Sequence, residues 1–334
     1  MLGGVVYGAG LWMASQSETA LGLYTNLGGV VGIGIGLSGM IVVMGAVGQV
    51  APPERRSTAF GFVTVAFSIG MFIMAPLMQY LINYYGWSGA LQTAGWLVLI
   101  VSLLALGLPG NSSDREKPTE PEAESELSLL ETINGAISHS GYLLLNVGFF
   151  VCGFHVAFIG THLPSFLQSE GISMSTASWA LAMIGLFNMF GSMIFGRMGD
   201  SLSKKNLLSL LYTLRAIVIA GFLAIPLNEI TAIAFGAAIG FLWLATVPLT
   251  SGIVAQVFGT RFLSTLWAIV FFSHQFGAFF GVWLGGRVYD TMGTYTPVWL
   301  ASIALGLLAG IIHLPIREKP WKSSTLKLQP SGGD

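Results

Sequence analysis

The sequence predicts an all-α protein, a polytopic membrane bundle of about ten transmembrane helices built as two pseudo-repeated halves. Hydrophobic residues make up 54% of the chain and charged residues only 9%, whereas soluble domains carry about 25% charged residues. The apolar residues lie in stretches long enough to cross about 30 Å of hydrocarbon. In addition, a segment from the first part of the chain is matched near its end at a constant offset.

The candidate spans follow one another with short gaps between them. They cover residues 1–15, 22–49, 58–83, 87–108, 141–166, 175–195, 206–225, 230–256, 262–286 and 296–316. The first is shorter than a full crossing requires, and no basic region precedes its apolar residues, which argues against a signal peptide. We interpret it as a truncated helix whose true start lies upstream of Met1.

Lys and Arg fall in alternate gaps, which predicts the orientation of the chain. Because basic loops face the cytoplasm, we expect these gaps and the C-terminus to be cytoplasmic, in a cell membrane of the bacterial inner-membrane type. Only Arg287 departs from the pattern. The basic residues that agree with the pattern are Arg55, Arg56, Arg197, Lys204, Lys205, Arg261, Arg317, Lys319, Lys322 and Lys327.

One gap, Asn111–Ser140, is long and acidic, with seven acids, two bases and two prolines. This composition is typical of a flexible linker. Its last part, Leu127–Ile137, has apolar residues at near-helical spacing and is a candidate for a helix on the membrane surface. The predicted domains are therefore a four-helix part at 1–108, a linker at 109–140, a six-helix part at 141–317 and a tail at 318–334.

The two parts are related by a repeat. At an offset of 207, Ser57–Gly86 aligns without gaps to Ser264–Gly293, with seven identities in 30 positions. This exceeds what biased membrane composition alone would give, although chance similarity is the alternative. A parallel repeat of this kind is common among transporters.

A polar loop follows the sixth span and reads Gly196-Arg197-Met198-Gly199-Asp200-Ser201-Leu202-Ser203-Lys204-Lys205. Gly196 allows a tight exit, Asp200 can cap a nearby helix N-terminus, and Lys204 and Lys205 favour the cytoplasmic surface. The loop resembles the major facilitator superfamily signature G-x-x-x-D-R-x-G-R-R, except that Ser201 and Ser203 replace its Arg and Gly. An ordinary positive-inside loop is the alternative.

Further segments resemble the monocarboxylate and oxalate–formate branch of that superfamily. The resemblance covers nearly the whole chain as family helices three to twelve, and it implies two halves around a midplane cavity lined by helices seven and eleven. Family helices one and two have no counterpart, so the chain is expected to lack them. The segments are Arg55–Gly61, Gly70, Pro76, Gly86-Trp87, Cys152–His155, His162–Pro164, Pro248–Thr250, His274–Gly277, Gly285-Gly286, Tyr289-Asp290 and Gly293.

The sequence argues against an enzyme. It has no buried carboxylate pair, no H-E-x-x-H, no Cys/His metal spacing and no P-loop, so we expect no cofactor, no metal site and no nucleic-acid partner. The G-x-G-x-x-G match at Gly34–Gly39 lies inside an apolar run instead of at a strand-to-helix turn. A close helix contact through Gly32 and Gly36 explains this stretch better.

Four polar residues inside spans are candidate substrate contacts. His155 and His274 lie about 20 and 18 Å into their spans, with Gln275 beside His274, and polar groups at such depth are often functional. Arg215 lies about 16 Å deep, on a helix that is usually peripheral in the resembled family. The alternative for each is structural, with the histidines bound to a neighbouring helix and Arg215 bound to carbonyls. The remaining histidines, His139, His162 and His313, are expected to be structural.

We therefore expect a secondary active transporter of a small organic solute, an anion such as a monocarboxylate, working by alternating access. The lipid bilayer and a coupled proton are further expected partners, with His274 and then His155 as proton carriers. Pro76 and Pro248 can kink their spans and give flexing points. The alternative is a non-transporting membrane receptor or scaffold, or an inactive transporter fragment.

Overall fold

The structure is a computed structural model that describes residues 2–39, 43–44, 47–48, 51–104 and 128–321. All regular elements in these ranges are helical, which confirms the all-α prediction. The chain divides into two compact units, Met1–Val42 with Leu77–Leu127, and Val43–Pro76 with Ser128–Asp334. The predicted domain boundaries remain predictions.

We number the helices in chain order. Helix α1 is Leu2–Ser15, α2 is Ala20–Ser38, and the long element Arg56–Leu104 forms α3 before Gly86 and α4 after it. The others are α5 (Leu129–Ser138), α6 (Ser140–Ser169), α7 (Met174–Ser201), α8 (Lys204–Ala224), α9 (Glu229–Phe241), α10 (Thr246–Phe258), α11 (Leu263–Met292) and α12 (Thr296–His313).

The helices are long and apolar enough to cross a membrane. Eight described elements qualify by length and hydropathy, and one of them, Pro53–Leu103, is long enough for two crossings because Gly86 interrupts it. The shorter Leu2–Ser15 is also apolar. The order of elements therefore agrees with the predicted spans, although α2 is described as helical only to Ser38 and α7 continues to Ser201.

The first unit packs through glycine. A side chain at Gly34 of α2 would meet the backbone of Tyr7 in α1 at 2.6 Å, and one at Gly95 of α4 would meet the carbonyl oxygen of Gly8 at 2.9 Å. Gly32 and Gly36 have no neighbour within 4 Å in the described structure. Among the described residues, therefore, α2 turns its Gly34 side toward α1, and the contact expected through Gly32 and Gly36 is not seen there.

The second unit uses the same kind of packing between its helices. In α11, Gly277 lies against the carbonyl of Phe150 and Gly281 against that of Phe154, both in α6. Gly153 of α6 in turn lies against the carbonyl of His274. Small residues that let two backbones approach are typical of helix pairs in membranes, where close packing replaces the hydrophobic effect.

The repeat is visible in the helices themselves. Helix α3 begins at Arg56 and α11 at Leu263, and the two helices end at Gly86 and Gly293, so both ends are separated by the same offset of 207 residues. Both glycines have a left-handed backbone, with φ of 69° and 68°, a conformation that glycine adopts without steric cost. This equivalence supports the architecture of two pseudo-repeated halves.

The span predicted at 230–256 is interrupted. Helix α9 ends at Phe241 and α10 begins at Thr246, and the four residues between them are buried. Pro248 lacks an N–H, and in a continuous helix its ring would clash with the carbonyl of Leu244. Helix α3, in contrast, continues through Pro76. Of the two expected flexing points, only Pro248 lies beside a break.

The described end of the linker contains the expected helix. Ser128 caps α5, and its backbone and side chain both bond Glu131, a capping box that holds the pKa of the Glu131 carboxyl below its usual range. The placement of this helix on a membrane surface remains a prediction. The linker from Asn111 to Leu127, and the tail from Lys322 including Lys327, lie outside the described residues.

Candidate functional site

The signature loop joins two helices of the second unit. At the end of α7, the Asp200 carboxylate accepts the backbone N–H groups of Ser57 (3.0 Å) and Thr58 (3.2 Å) at the start of α3, together with the Thr58 hydroxyl. An acid at this position satisfies free N–H groups and opposes the positive end of the helix dipole. Asp200 thus caps the N-terminus of α3, the kind of contact that the sequence predicts for it.

Gly196 lies where α3 and α7 cross. A side chain at Gly196 would meet the carbonyl oxygen of Ser57 at 2.9 Å, and one at Gly61 would meet that of Ser192 at 2.8 Å. The two helices are therefore in backbone contact at this crossing, and any larger residue at either glycine would force them apart.

The two lysines of the loop tie α8 to its neighbours. The Lys204 ammonium donates to the Gln256 side chain of α10 (2.8 Å), and that of Lys205 donates to the Leu314 carbonyl (2.8 Å). The backbone N–H of Lys205 donates to Glu318 (2.6 Å), which therefore caps α8. Asp200 of the loop and Glu318 after α12 thus each cap a helix N-terminus, and the two lysines join α8 to other elements of the second unit.

Arg215 binds the break between α9 and α10. Its side chain is 1% exposed, and it donates to the Leu242 carbonyl from Nε (3.0 Å) and Nη2 (2.7 Å), and to the Trp243 carbonyl from Nη2. These carbonyls lie where the helix ladder is interrupted and need other donors. The charge expected at mid-depth is therefore used to stabilise a broken helix, and its role toward a substrate remains a prediction.

Asn188 of α7 binds the same break from another side. Its Oδ1 atom accepts the Leu244 N–H (2.8 Å) and the Ser192 hydroxyl (3.1 Å), and its Nδ2 donates to the Ser68 hydroxyl of α3 (2.8 Å). The side chain is fully buried. Asn188 is not among the predicted site residues, although an amide in the middle of an apolar span is a signal by which it could have been found.

Cys152, the chain's single cysteine, lies at the centre of the predicted site residues. Its Sγ atom is 3.5 Å from Nη1 of Arg215 and 3.3 Å from the Thr246 hydroxyl, and the neighbouring Gly153 lies against the backbone carbonyl of His274. His155 lies one turn further along α6. The structure therefore groups Arg215, His155 and His274 around one stretch of α6.

The two predicted histidines differ in their surroundings. His155 is 1% exposed, and its Nε2 pairs with the Ser302 carbonyl of α12 at 2.8 Å. His274 is 7% exposed, its ring stacks on Phe271 with centroids 5.1 Å apart, and its Nδ1 lies 3.2 Å from Oε1 of Gln275. Gln275 itself is exposed. Of the four candidate substrate contacts, Gln275 is exposed and the other three are buried.

The other histidines contact protein groups. His162 pairs with the Val282 carbonyl at 2.9 Å, and His313 pairs with Ala309 of its own helix at 2.7 Å. His139 caps α6, where its Nδ1 accepts the Tyr142 N–H at 3.3 Å.

Comparisons with known proteins identify the family. A family model described as Major Facilitator Superfamily matches residues 1–281 and, again, residues 145–330. Monocarboxylate transporter 12 of Mus musculus is 26% identical over 370 residues, which cover 98% of this chain and 75% of that protein. Monocarboxylate transporter 13 of Rattus norvegicus is 27% identical over 328 residues (94% and 72%). An uncharacterized MFS-type transporter of Bacillus subtilis, YcxA, is 24% identical over 285 residues (79% and 65%).

Solved structures show the same fold. The fucose:proton symporter FucP of E. coli superposes with a TM-score of 0.63 at 14% identity, over 93% of this chain and 81% of that one. A second FucP structure, in the outward conformation, gives a TM-score of 0.59 at 15% identity over the same shares. Members of this family are transporters and not enzymes, which confirms the expectation of a non-enzymatic protein. The chain belongs to the Major Facilitator Superfamily and is a multi-pass membrane transporter.

Proposed function

We propose that the chain carries a small organic anion, such as a monocarboxylate, by secondary active transport. The observation that carries this proposal is the similarity, over nearly the whole chain, to proteins named monocarboxylate transporters. The charges of the described spans agree with it. Arg215 and two histidines lie in the interior of the second unit, whereas the acids Asp200 and Asp290 lie at helix ends. A neutral to positive interior favours an anion.

The proposed contact surface is centred on Gln275. This side chain is exposed about 18 Å along α11, and its amide can donate to a carboxylate. The His274 ring lies within hydrogen-bonding range of its Oε1 atom, so a change in one side chain alters the hydrogen bonding of the other. Arg215 and His155 bind the carbonyls of Leu242 and Ser302 in this structure, so the proposed contact does not use them directly.

The proposed mechanism is alternating access, in which the two halves separate first on one side and then on the other. Helix α3 belongs to the predicted N-terminal half and α7 to the C-terminal half. Their contact runs from the Asp200 cap to Gly185. A side chain added at Gly185 would come within 2.9 Å of the Ser68 carbonyl oxygen. This contact would close one side of the transporter and open in the other state.

The proposed orientation places the signature loop, the linker and the C-terminus in the cytoplasm of a bacterial cell, as the basic gaps predict. Protease added outside sealed cells should leave the linker intact, and cleavage there would reverse the proposed orientation.

Transport is tested with the full chain reconstituted in proteoliposomes, with labelled lactate in the external medium. Time-dependent uptake, inhibited by unlabelled monocarboxylates and not by neutral sugars or organic cations, is the expected result. Gln275→Ala should reduce uptake, whereas Gln168→Ala, an exposed glutamine at the end of α6, should not. Binding of lactate without uptake would instead favour a receptor, and inhibition by sugars or cations alone would contradict an anionic substrate.

A further inference from the structure

The break between α9 and α10 is bound by side chains from two different helices. Arg215 of α8 donates to the carbonyls of Leu242 and Trp243, whereas Asn188 of α7 accepts the N–H of Leu244. All these groups are buried. A buried backbone group that loses its partner costs about 1–3 kcal/mol, so the shape of the break depends on both side chains staying in place.

The orientation of the Asn188 amide depends in turn on α3. The Ser68 hydroxyl donates to the Thr64 carbonyl of its own helix at 2.8 Å, so its oxygen can only accept from Asn188. This fixes Nδ2 toward Ser68 and therefore Oδ1 toward Leu244. Because the amide is planar, a rotation that moves one end also moves the other.

We propose that Asn188 couples the contact between α3 and α7 to the break in the neighbouring span. When α3 leaves α7, the amide loses its Ser68 acceptor, turns, and releases the Leu244 N–H. Arg215 keeps the Leu242 and Trp243 carbonyls, so the end of α9 stays fixed while the start of α10 moves. This inference rests on the proposed alternating access, because it is the separation of α3 from α7 that drives the change.

The chain carries its own reporter of this movement. Cys152 is the single cysteine, it is fully buried, and its Sγ lies 3.3 Å from the hydroxyl of Thr246, the first residue of α10. Movement of Thr246 uncovers the thiol, which then reacts with a membrane-permeant maleimide. The rate of labelling therefore measures how often the break opens.

The experiment compares labelling of Cys152 by N-ethylmaleimide in the full chain and two matched variants, reconstituted in liposomes. Ser68→Ala removes the acceptor and should raise the labelling rate about two- to tenfold, the range expected for one hydrogen bond. Thr64→Ala is the control, because Thr64 lies one turn earlier on α3, is equally buried and bonds only its own helix, at Phe60. Its labelling rate should equal that of the unmodified chain.

A double-mutant comparison tests the path. Asn188→Ala should itself raise labelling, and adding Ser68→Ala to it should change nothing further, because both act through the same bond. If Asn188→Ala does not fold, the Ser68 and Thr64 variants still decide the question. Equal labelling in Ser68→Ala and Thr64→Ala would overturn the coupling, even with lactate uptake intact. Absence of uptake with the labelling difference intact would count against the proposed function alone.

Discussion

The Nη2 atom of Arg215 lies 2.7 Å from the carbonyl oxygen of Leu242, at the point where a membrane span is broken. A guanidinium in such a place supplies several donors to groups that a continuous helix would have paired internally. Its positive charge is accompanied by a cation–π contact, with the Arg215 guanidinium carbon 5.2 Å from the Tyr212 ring centre. The cost of burying this cation is thus offset by hydrogen bonds to the backbone.

Replacing Arg215 should therefore lower stability more than it alters any exposed surface. Arg215→Met leaves two buried carbonyls without donors, and we expect a loss of about 2–5 kcal/mol. Arg215→Lys should lose less stability than Arg215→Met, because its ammonium can still donate to some of these carbonyls, although not to all of them. Thermal unfolding in detergent measures both. Arg287→Met, at an exposed arginine, is the control, and an equal shift in the two methionine variants would contradict the role given to Arg215.

The cap on α3 gives a second prediction. Asp200→Ala removes the acceptor for Ser57 and Thr58 and should cost about 1 kcal/mol, whereas Asp200→Asn should cost less because Asn is also a good capping residue. Thermal unfolding again provides the measurement. Asp290→Asn, at an exposed acid at the end of α11, should leave the midpoint unchanged. If the cap contributed nothing to stability, Asp200→Ala would unfold at the same midpoint as the unmodified chain.

The crossing of α3 and α7 predicts a steric effect. Gly61→Ala brings a methyl group to 2.8 Å from the Ser192 carbonyl, so the two helices must move apart. Gly70→Ala, on the same helix, meets nothing within 4 Å and should be neutral or stabilising by up to about 1 kcal/mol. Lactate uptake should fall in Gly61→Ala and be retained in Gly70→Ala. Equal uptake in both would mean that the close crossing is not needed for transport.

His139 predicts a dependence of stability on pH. Burial, with a smaller contribution from the positive charge of Arg317, lowers the pKa of His139 below its usual value. Its neutral ring accepts the Tyr142 N–H, so the stability it provides is present above the ordinary histidine pKa of about 6.5 and is lost as the pH falls below that value.

His139→Asn keeps a capping acceptor without this titration. Unfolding midpoints measured between about pH 5 and 8 should fall less steeply toward acid in the variant than in the unmodified chain. Parallel curves for the two proteins would exclude His139 as the source of the dependence.

Proton coupling, if His274 carries it, should disappear in His274→Gln. The substitution keeps a hydrogen-bonding side chain beside Gln275 and removes the imidazole, a group whose ordinary pKa is near neutral. We expect the pH dependence of lactate uptake to flatten in this variant and to be kept in His155→Gln, whose ring is more fully buried. Unchanged pH dependence in both variants would exclude histidine-borne coupling in this part of the chain.

Periodic and compositional signals predicted most of the fold. The apolar stretches gave the helices, and the alignment of Gly86 with Gly293 anticipated two helix ends that share a left-handed glycine. Such features depend on neighbours in the sequence and on the length of a crossing. The Asp200 cap could also be predicted, because the residue stands beside a loop where helix ends meet.

The arrangement around the break could not be predicted in the same way. Pro248 indicated a disturbance of its span, but the four residues left outside the helices depend on which partners reach them. Those partners, Arg215 and Asn188, come from two other helices. The contact surface is also a tertiary property, since neighbours along α11 gave no reason for Gln275 to be exposed while His274 is covered.

The glycines between α6 and α11 have a consequence for how a transport cycle can proceed. Gly277 and Gly281 of α11 lie against the carbonyls of Phe150 and Phe154, so the two backbones are in direct contact at these positions, with no side chain between them. Sliding or rotation of one helix over the other would drive Cβ atoms into carbonyl oxygens. We therefore expect the two helices to move together as one rigid pair, which keeps Cys152 of α6 close to His274 of α11. A solute that binds at Gln275 would then contact a rigid pair of helices instead of a flexible one.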